Sequence, residues 1–438
     1  RRVGKTALIN EFCKDRKVIY FPALKDTVQG NLDILSQAIN TYKDPDSHVS
    51  VSYNSFQDAF TEIGRIAERE RVIFVIDEYP YLAKADLTIS SRLQHLIDLS
   101  WSKGKMFLIL CGSSVSFMEG EVLSYESPLY GRRTGQIHLM PLSYRDSARF
   151  VPGLDPVTKA EVYGITGGIP LYLNKLDVKK DLKSALLRNF FNTSSYLFEE
   201  PENLLKQELR EPALYNAVIK AIAEGATKLS EISTKTGMET SSCSTYVHTL
   251  VGLGIIEKET PLGKKEGGRS IYRISDPFFR FWYRFVPRNM GAIATGRIRN
   301  TFDRSVGDYL HDYMGSVFED MCAQYLMMYD DSLPINLNRV GRWWGTDPKK
   351  RKEIEIDLIG EPVQENNDQK KEYIAASCKF RNGHFTMKDL DELKEYSMVF
   401  CRDAEFHYYV FYISDVADDV KDLAKREGIR LVSLEQVF

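Results

Sequence analysis

Gly4-Lys5-Thr6, near the start of the chain, and Asp77-Glu78, about seventy residues later, are the residue types that phosphate chemistry needs. In a loop of the form G-x-x-x-x-G-K-[ST], backbone N–H groups cradle phosphate. The Lys reaches the β/γ-phosphates and the Thr hydroxyl binds Mg²⁺. The opening RRVGKT carries the last part of that form, whose first Gly would fall two positions before Arg1. The sequence is therefore expected to begin inside the loop, with the preceding strand outside it. ALINEF follows and reads as the first turns of a helix. A loop entering a helix N-terminus aims N–H groups and the positive dipole end at an anion. Asp77 is suited to hold the Mg²⁺ shell and Glu78 to polarise an attacking water. Each signal has a plainer reading alone, a chance GKT or a strand ending in solvated acids. Their order makes them a candidate ATP site.

Two further stretches add candidates. KMFLILCGSS ends in Ser113 and Ser114, which either sense a γ-phosphate or close a strand in a Gly-Ser turn. SPLYGRRTGQIHLMPLS carries Arg132 and Arg133 just before another strand-like run. An arginine reaching a γ-phosphate, from the same or a neighbouring subunit, stabilises the charge developing there. Two solvated surface arginines are the alternative.

The elements that must position these groups are legible as patterns. KVIYFPA is rich in β-branched and aromatic residues and reads as a strand. SFQDAFTEIGRIAERER places Phe56, Phe60, Ile63, Ile66 and Ala67 at helical spacing. RVIFVIDEYPYLA holds five apolar residues, 72–76, as a buried parallel-type strand with the two acids at its C-terminal end. Ligands of open α/β sheets bind at that edge.

Residues 141–211 read as mostly helical, a small lid beside the core. The next segment, 212–275, reads as a winged helix: helices at 214–223, 229–236 and 240–253, with a turn at Gly237. GIIEKE and SIYRIS then pair as a hairpin. In a DNA-binding reading, the third helix enters the major groove with Ser241, Ser242, Ser244 and Thr245. Lys264, Lys265 and Arg269 of the wing then touch phosphates. From Lys264 to Arg304 ten basic side chains face three acidic ones, locally about +7. The alternative is a protein-interaction module, with the aromatic DPFFRFWYRFV as packing between domains.

Composition bounds the rest. At 438 residues, 43% hydrophobic and 27% charged, the chain has room for about three domains. A net charge of −3 means any nucleic-acid role must rest on local patches. Six scattered cysteines without a C-x-x-C pair point to reduced thiols and a cytoplasmic setting. No apolar run approaches the roughly 20 residues of a membrane helix.

With GKT, VIDEYPYL, LILCGSS, SPLYGRR and ITGGIPLYL in this order, the chain resembles the archaeal-type P-loop ATPases of the AAA+/STAND group. The likeness extends to that family's C-terminal domain of unknown function, which has a restriction-endonuclease-like core. The fold class implied is multi-domain α/β. It comprises a P-loop parallel sheet (1–140), helical lid (141–211), winged helix-turn-helix (212–275), basic and aromatic connector (276–304) and α/β endonuclease-like domain (305–438). The order Glu319, Asp357, Lys379 also resembles the PD-(D/E)xK nuclease core, where two acids bind a divalent metal and the Lys positions the attacking water. Ser377 stands where Glu or Gln is expected, which weakens the metal site. The function implied is an ATP- and Mg²⁺-dependent regulatory ATPase that couples nucleotide state to a DNA-associated winged helix and a nuclease-like domain. Its partners would be ATP or ADP, DNA, and a second copy or another protein, but no membrane. The rivals are an ATP-gated metal-dependent nuclease or defence effector, and a nucleotide-binding scaffold without turnover.

Overall fold

Three short apolar runs build the N-terminal sheet. In the computed structural model, which describes residues 2–46, 52–114, 117–264, 270–363 and 371–438, these are β1 (Val18–Pro22), β2 (Val72–Asp77) and β3 (Met106–Leu110). All are parallel, in the order β1-β2-β3. Every residue of β2 is buried, as a central strand covered on both faces must be. Helix Phe56–Arg69 starts at an N-cap, Ser55, whose side chain accepts the Asp58 N–H. It buries Phe56, Phe60, Ile63 and Ala67 against the sheet. Phe60 and Phe74 meet Trp101 edge-on at 6.0 and 6.2 Å. Helix Lys5–Cys13 buries none of its residues, and Phe12 reaches Phe107 of β3 at 5.7 Å.

One expected strand is absent. The run after Arg133 pairs with no strand among the described residues, and Ile137 and Met140 stay exposed. Apolar alternation becomes a strand only when it pairs with a neighbouring backbone. Among the described residues β3 pairs with β2 alone, so its outer edge is open, and the run does not take it.

The chain divides into two compact units, Arg1–Met140 and Pro141–Phe438. The second unit opens with the expected helices, from Tyr144–Ala148 to Tyr196–Glu208. Helices Pro212–Ala223, Leu229–Thr236 and Thr240–Gly252 follow. The antiparallel pair β4 (Ile256–Glu259) and β5 (Ile271–Ile274) forms the wing. Gly237, at φ 68, ends the second helix in the left-handed conformation. After helices Pro277–Phe285 and Asp308–Met328 come β6 (Leu337–Asp347), β7 (Lys352–Pro362), β8 (Glu372–Lys379), β9 (Glu405–Tyr412) and β10 (Arg430–Ser433). They form one mixed sheet, β10-β9-β8-β7-β6. The first three strands run as an antiparallel meander, and β9 and β10 join in parallel beyond β8. No described helix is long and apolar enough to cross a membrane.

Helix Pro277–Phe285 is packing. Phe278 stacks on Tyr172 at 4.2 Å and Phe281 meets Phe190 at 4.9 Å. The basic stretch around it is less basic than its one-dimensional count. Arg273 and Arg280 both pair with Asp320, at 3.3 and 3.1 Å, and Arg284 pairs with Asp312. The wing also docks on the C-terminal sheet. Leu262, 5% exposed, packs against Trp343, Ile354 and Ile356, and its N–H donates to the Arg342 carbonyl at 3.0 Å.

ITGGIP needs both glycines. Gly167 and Gly168 lie at φ 62 and 69, and a Cβ on Gly168 would sit 2.1 Å from the Leu142 carbonyl oxygen. Gly168→Ala is therefore expected to destabilise this unit by about 2 kcal/mol or more. Gly153→Ala, where nothing lies within 4 Å, should stay within about 0.5 kcal/mol of wild type. Chemical denaturation of the two variants compares them.

Candidate functional site

The parallel sheet delivers its polar residues to one edge. Asp77, at the end of β2, is 7% exposed. Its Oδ2 accepts the Thr6 hydroxyl at 3.0 Å and the Tyr20 hydroxyl at 2.5 Å. Its Oδ1 accepts the Glu78 N–H at 3.0 Å. Burial, and then the bond to Asp77, raises the Tyr20 pKa well above its ordinary value. Burial, and then the charge of Asp77, likewise pushes the neighbouring Cys111 thiol up to about 12. Gly4, at φ 90, turns the chain into helix Lys5–Cys13. A Thr hydroxyl beside a carboxylate is a hard-oxygen pair of the kind Mg²⁺ accepts, with phosphate and water completing its octahedron. These two side chains fit that ion.

Glu78 sits at φ 53, a left-handed conformation that a non-glycine residue adopts at a cost. Its Oε2 accepts both the N–H of Ser113, at 3.2 Å, and the Ser113 hydroxyl, at 2.9 Å. Gly112 makes that approach possible, because a Cβ there would lie 2.8 Å from the Pro80 ring. The structure thus joins Thr6, Tyr20, Asp77, Glu78 and Ser113. Ser113 donates both its N–H and its hydroxyl to the acid. The Ser114 carbonyl accepts the Met118 N–H at 3.0 Å. Arg132 is committed elsewhere: Nε and Nη2 grip Asp98 at 2.9 and 2.8 Å, and Nη1 bonds two carbonyls. Arg133 is exposed and bonds Gln136. Tyr20 was not anticipated. Its signal was a hydroxyl two residues before the end of a strand adjacent to the acid-bearing one.

In the winged helix, Ser241, Ser242, Ser244 and Thr245 are exposed, while Cys243, Val247 and Leu250 form the buried face. Lys264 is exposed. Lys265 and Arg269 lie outside the described residues.

A third group assembles in the C-terminal sheet. Helix Asp308–Met328 brings Glu319, β7 brings Asp357, and β8 brings Ser377 and Lys379. Asp357 Oδ2 accepts the Ser377 hydroxyl at 3.1 Å, the Cys378 N–H at 2.7 Å and the Lys379 ammonium at 3.1 Å. Glu319 lies 3.4 Å from Arg342, which also reaches Glu259 at 3.7 Å and Glu355 at 2.8 Å. Burial first, then the charge of Asp357, pushes Glu319 up to about 8, with Arg342 pulling the other way. Each acid already holds a resident cation, and Ser377 spends its hydroxyl on Asp357. Among the described residues no group of three or more His, Cys, Asp or Glu side chains is placed to hold a metal. These residues do not fit a divalent-metal centre.

Three family models match separate parts of the chain. Residues 1–176 match an ATPase domain predominantly from Archaea, and 217–260 match an IclR helix-turn-helix domain. Residues 282–393 match archaeal and bacterial proteins of unknown function. The uncharacterized protein MJECL04 of Methanocaldococcus jannaschii is 31% identical over 402 residues, which is 90% of this chain and 84% of that protein. The chain belongs to that protein's family. Among solved structures it is similar to the ORC1 protein of Aeropyrum pernix in complex with DNA. That match has a TM-score of 0.34 at 15% identity, over 68% of this chain and 85% of that one. It is also similar to CDC6P of Pyrobaculum aerophilum, with a TM-score of 0.28 at 15% identity, over 68% and 85%. The N-terminal region of this family member is an archaeal-type ATPase domain that contains Lys5, Thr6, Asp77, Glu78 and Ser113. Its helix-turn-helix contains the exposed serines.

The buried Glu319 carries a pH signature. Its ordinary value is 4.5 and its folded value about 8. Between those limits the folded state holds a proton that the unfolded chain releases, so stability falls as pH rises through the window. Urea unfolding between pH 5 and pH 8 should show that decline in wild type and a flatter profile in Glu319→Gln.

Proposed function

We propose that this protein binds ATP with Mg²⁺ at Gly4, Lys5, Thr6 and Asp77, and hydrolyses it with Glu78 as the water-polarising group. The nucleotide state would regulate a DNA-associated winged helix. One observation supports this reading most: Thr6 and Asp77, 71 residues apart, meet at 3.0 Å with Glu78 next in the chain. In this mechanism the loop N–H groups and the Lys5 ammonium hold the phosphates. Glu78 turns from Ser113 toward a water in line with the γ-phosphate and accepts a hydrogen bond from it. Mg²⁺, held by Thr6 and Asp77, would neutralise phosphate charge. Ser113 then re-forms its bonds to Glu78 when ADP and phosphate leave, with Ser114 lining the same edge. Of the two candidate arginines, Arg133 is the better placed to meet a phosphate, from this subunit or a second copy, because Arg132 is tied to Asp98.

DNA contact in this reading falls to Ser241, Ser242, Ser244 and Thr245, with Lys264 and its neighbours Lys265 and Arg269 on phosphates. The five-part division inferred above and a cytoplasmic setting belong to the same proposal. The C-terminal helix, antiparallel meander, helix and parallel strand support an endonuclease-like core. Arg342 and Lys379 on its two acids favour a scaffold that has lost cutting activity over an active nuclease.

Lys5→Ala should abolish ATP binding, whereas Glu78→Gln should keep binding and lose turnover by a factor on the order of 100 or more. Calorimetric nucleotide binding and phosphate release separate the two. Turnover by Glu78→Gln at the wild-type rate would remove Glu78 from the mechanism.

A further inference from the structure

The β6–β7 hairpin ends in four consecutive cations, Lys349, Lys350, Arg351 and Lys352, all exposed. Its turn is built rather than loose. Asp347, 2% exposed, accepts the N–H groups of Lys349 and Lys350 on Oδ1 at 2.7 and 3.3 Å. Its carbonyl accepts the Arg351 N–H at 2.9 Å. Arg351 is held at φ 51, where Asn or Gly would rest more easily. Lys350 pairs with Glu395 at 2.6 Å. Lys349, Arg351 and Lys352 have no ion-pair partner among the described residues. Clustered like charges repel, and nothing in the turn geometry requires them.

The hairpin is also tied to the winged helix. Leu262 of the wing is buried on β6 and β7, and Arg342 of β6 reaches Glu259 of β4. From Arg342 to Asp347 the strand advances about 3.3 Å per residue, which puts the tip roughly 17 Å from the docked wing. That exceeds the roughly 12 Å width of a major groove, so the tip can meet a different stretch of backbone from the wing.

We propose that the β6–β7 hairpin tip is a second contact with the phosphate backbone of double-stranded DNA, held at a fixed distance from helix Thr240–Gly252 by the buried wing. It rests on the DNA-binding reading of the winged helix. The occupant follows from the chemistry: three unpaired cations, with Pro348 as the turn's sole apolar residue, offer phosphates charge and a lipid or protein core no anchor.

The test is the salt dependence of double-stranded DNA binding by the full chain, read by fluorescence anisotropy. The variant is Lys349→Gln/Arg351→Asn/Lys352→Gln, since Asn tolerates the left-handed turn position. Each phosphate contact contributes about 0.9 to the slope of log K against log salt, so the triple variant should lose about 2 to 3 of it at an unchanged melting temperature. Lys349→Arg/Lys352→Arg should keep the wild-type slope. Ser241→Glu/Ser244→Glu should abolish binding altogether. An unchanged slope in the triple variant, with binding still lost in the helix variant, would overturn the hairpin contact and leave the winged-helix reading standing. Absence of salt-dependent binding in wild type would remove both. A triple variant that loses only its attraction to phosphatidylserine vesicles would assign the tip to a lipid surface and also overturn the proposal.

Discussion

A single carboxylate oxygen organises the N-terminal unit. Asp77 Oδ2 takes hydroxyls from Thr6, on the loop-following helix, and from Tyr20, on the neighbouring strand. An oxygen so nearly buried is stable only when its lone pairs are occupied. That need fixes the parallel register of β1 on β2, which sets Tyr20 beside Val75 and Pro22 beside Asp77. It also fixes the approach of Lys5 and Thr6 to the sheet edge, where phosphate chemistry would occur. Glu78 is left in a strained backbone conformation with its carboxylate parked on Ser113.

In the second unit the corresponding constraint is Arg342. Its guanidinium meets one acid from the wing, one from helix Asp308–Met328 and one from β7. Removing it would leave Glu319 without its cation and Glu259 with Arg273 alone, the costly side of a largely buried ion pair. Arg273 repeats the arrangement between β4 and Asp320. Winged helix and C-terminal sheet are therefore joined by charge as well as by Leu262. Arg342, one of the cations that fasten the unit, also occupies Glu319, and Lys379 occupies Asp357, the two acids that a metal-dependent nuclease would need.

Much of this was legible in the sequence where the signal is local. GKT and IDE mark the sheet edge where Thr6 meets Asp77, because a loop and a strand end carry them. Helical patterning and the turn at Gly237 place the three helices of the winged helix to within a residue or two. What was not legible depends on distant partners. Arg132 has the composition of a phosphate contact, but Asp98, 34 positions earlier, claims it. The basic stretch reads as about +7 until Asp312 and Asp320 fold back onto its arginines. The run after Arg133 alternates like a strand, yet strand formation belongs to the pair and not to the run. Tyr20 is chemically ordinary until the register of two strands puts it on Asp77.

Steady-state ATP turnover in Mg²⁺, titrated with double-stranded DNA at constant salt, tests most directly whether the nucleotide edge drives a DNA-associated module. Turnover that requires Mg²⁺ and changes by severalfold as DNA saturates is the result expected of a regulatory ATPase. Mg²⁺-dependent turnover that stays constant through saturating DNA, or no turnover at all, would contradict it.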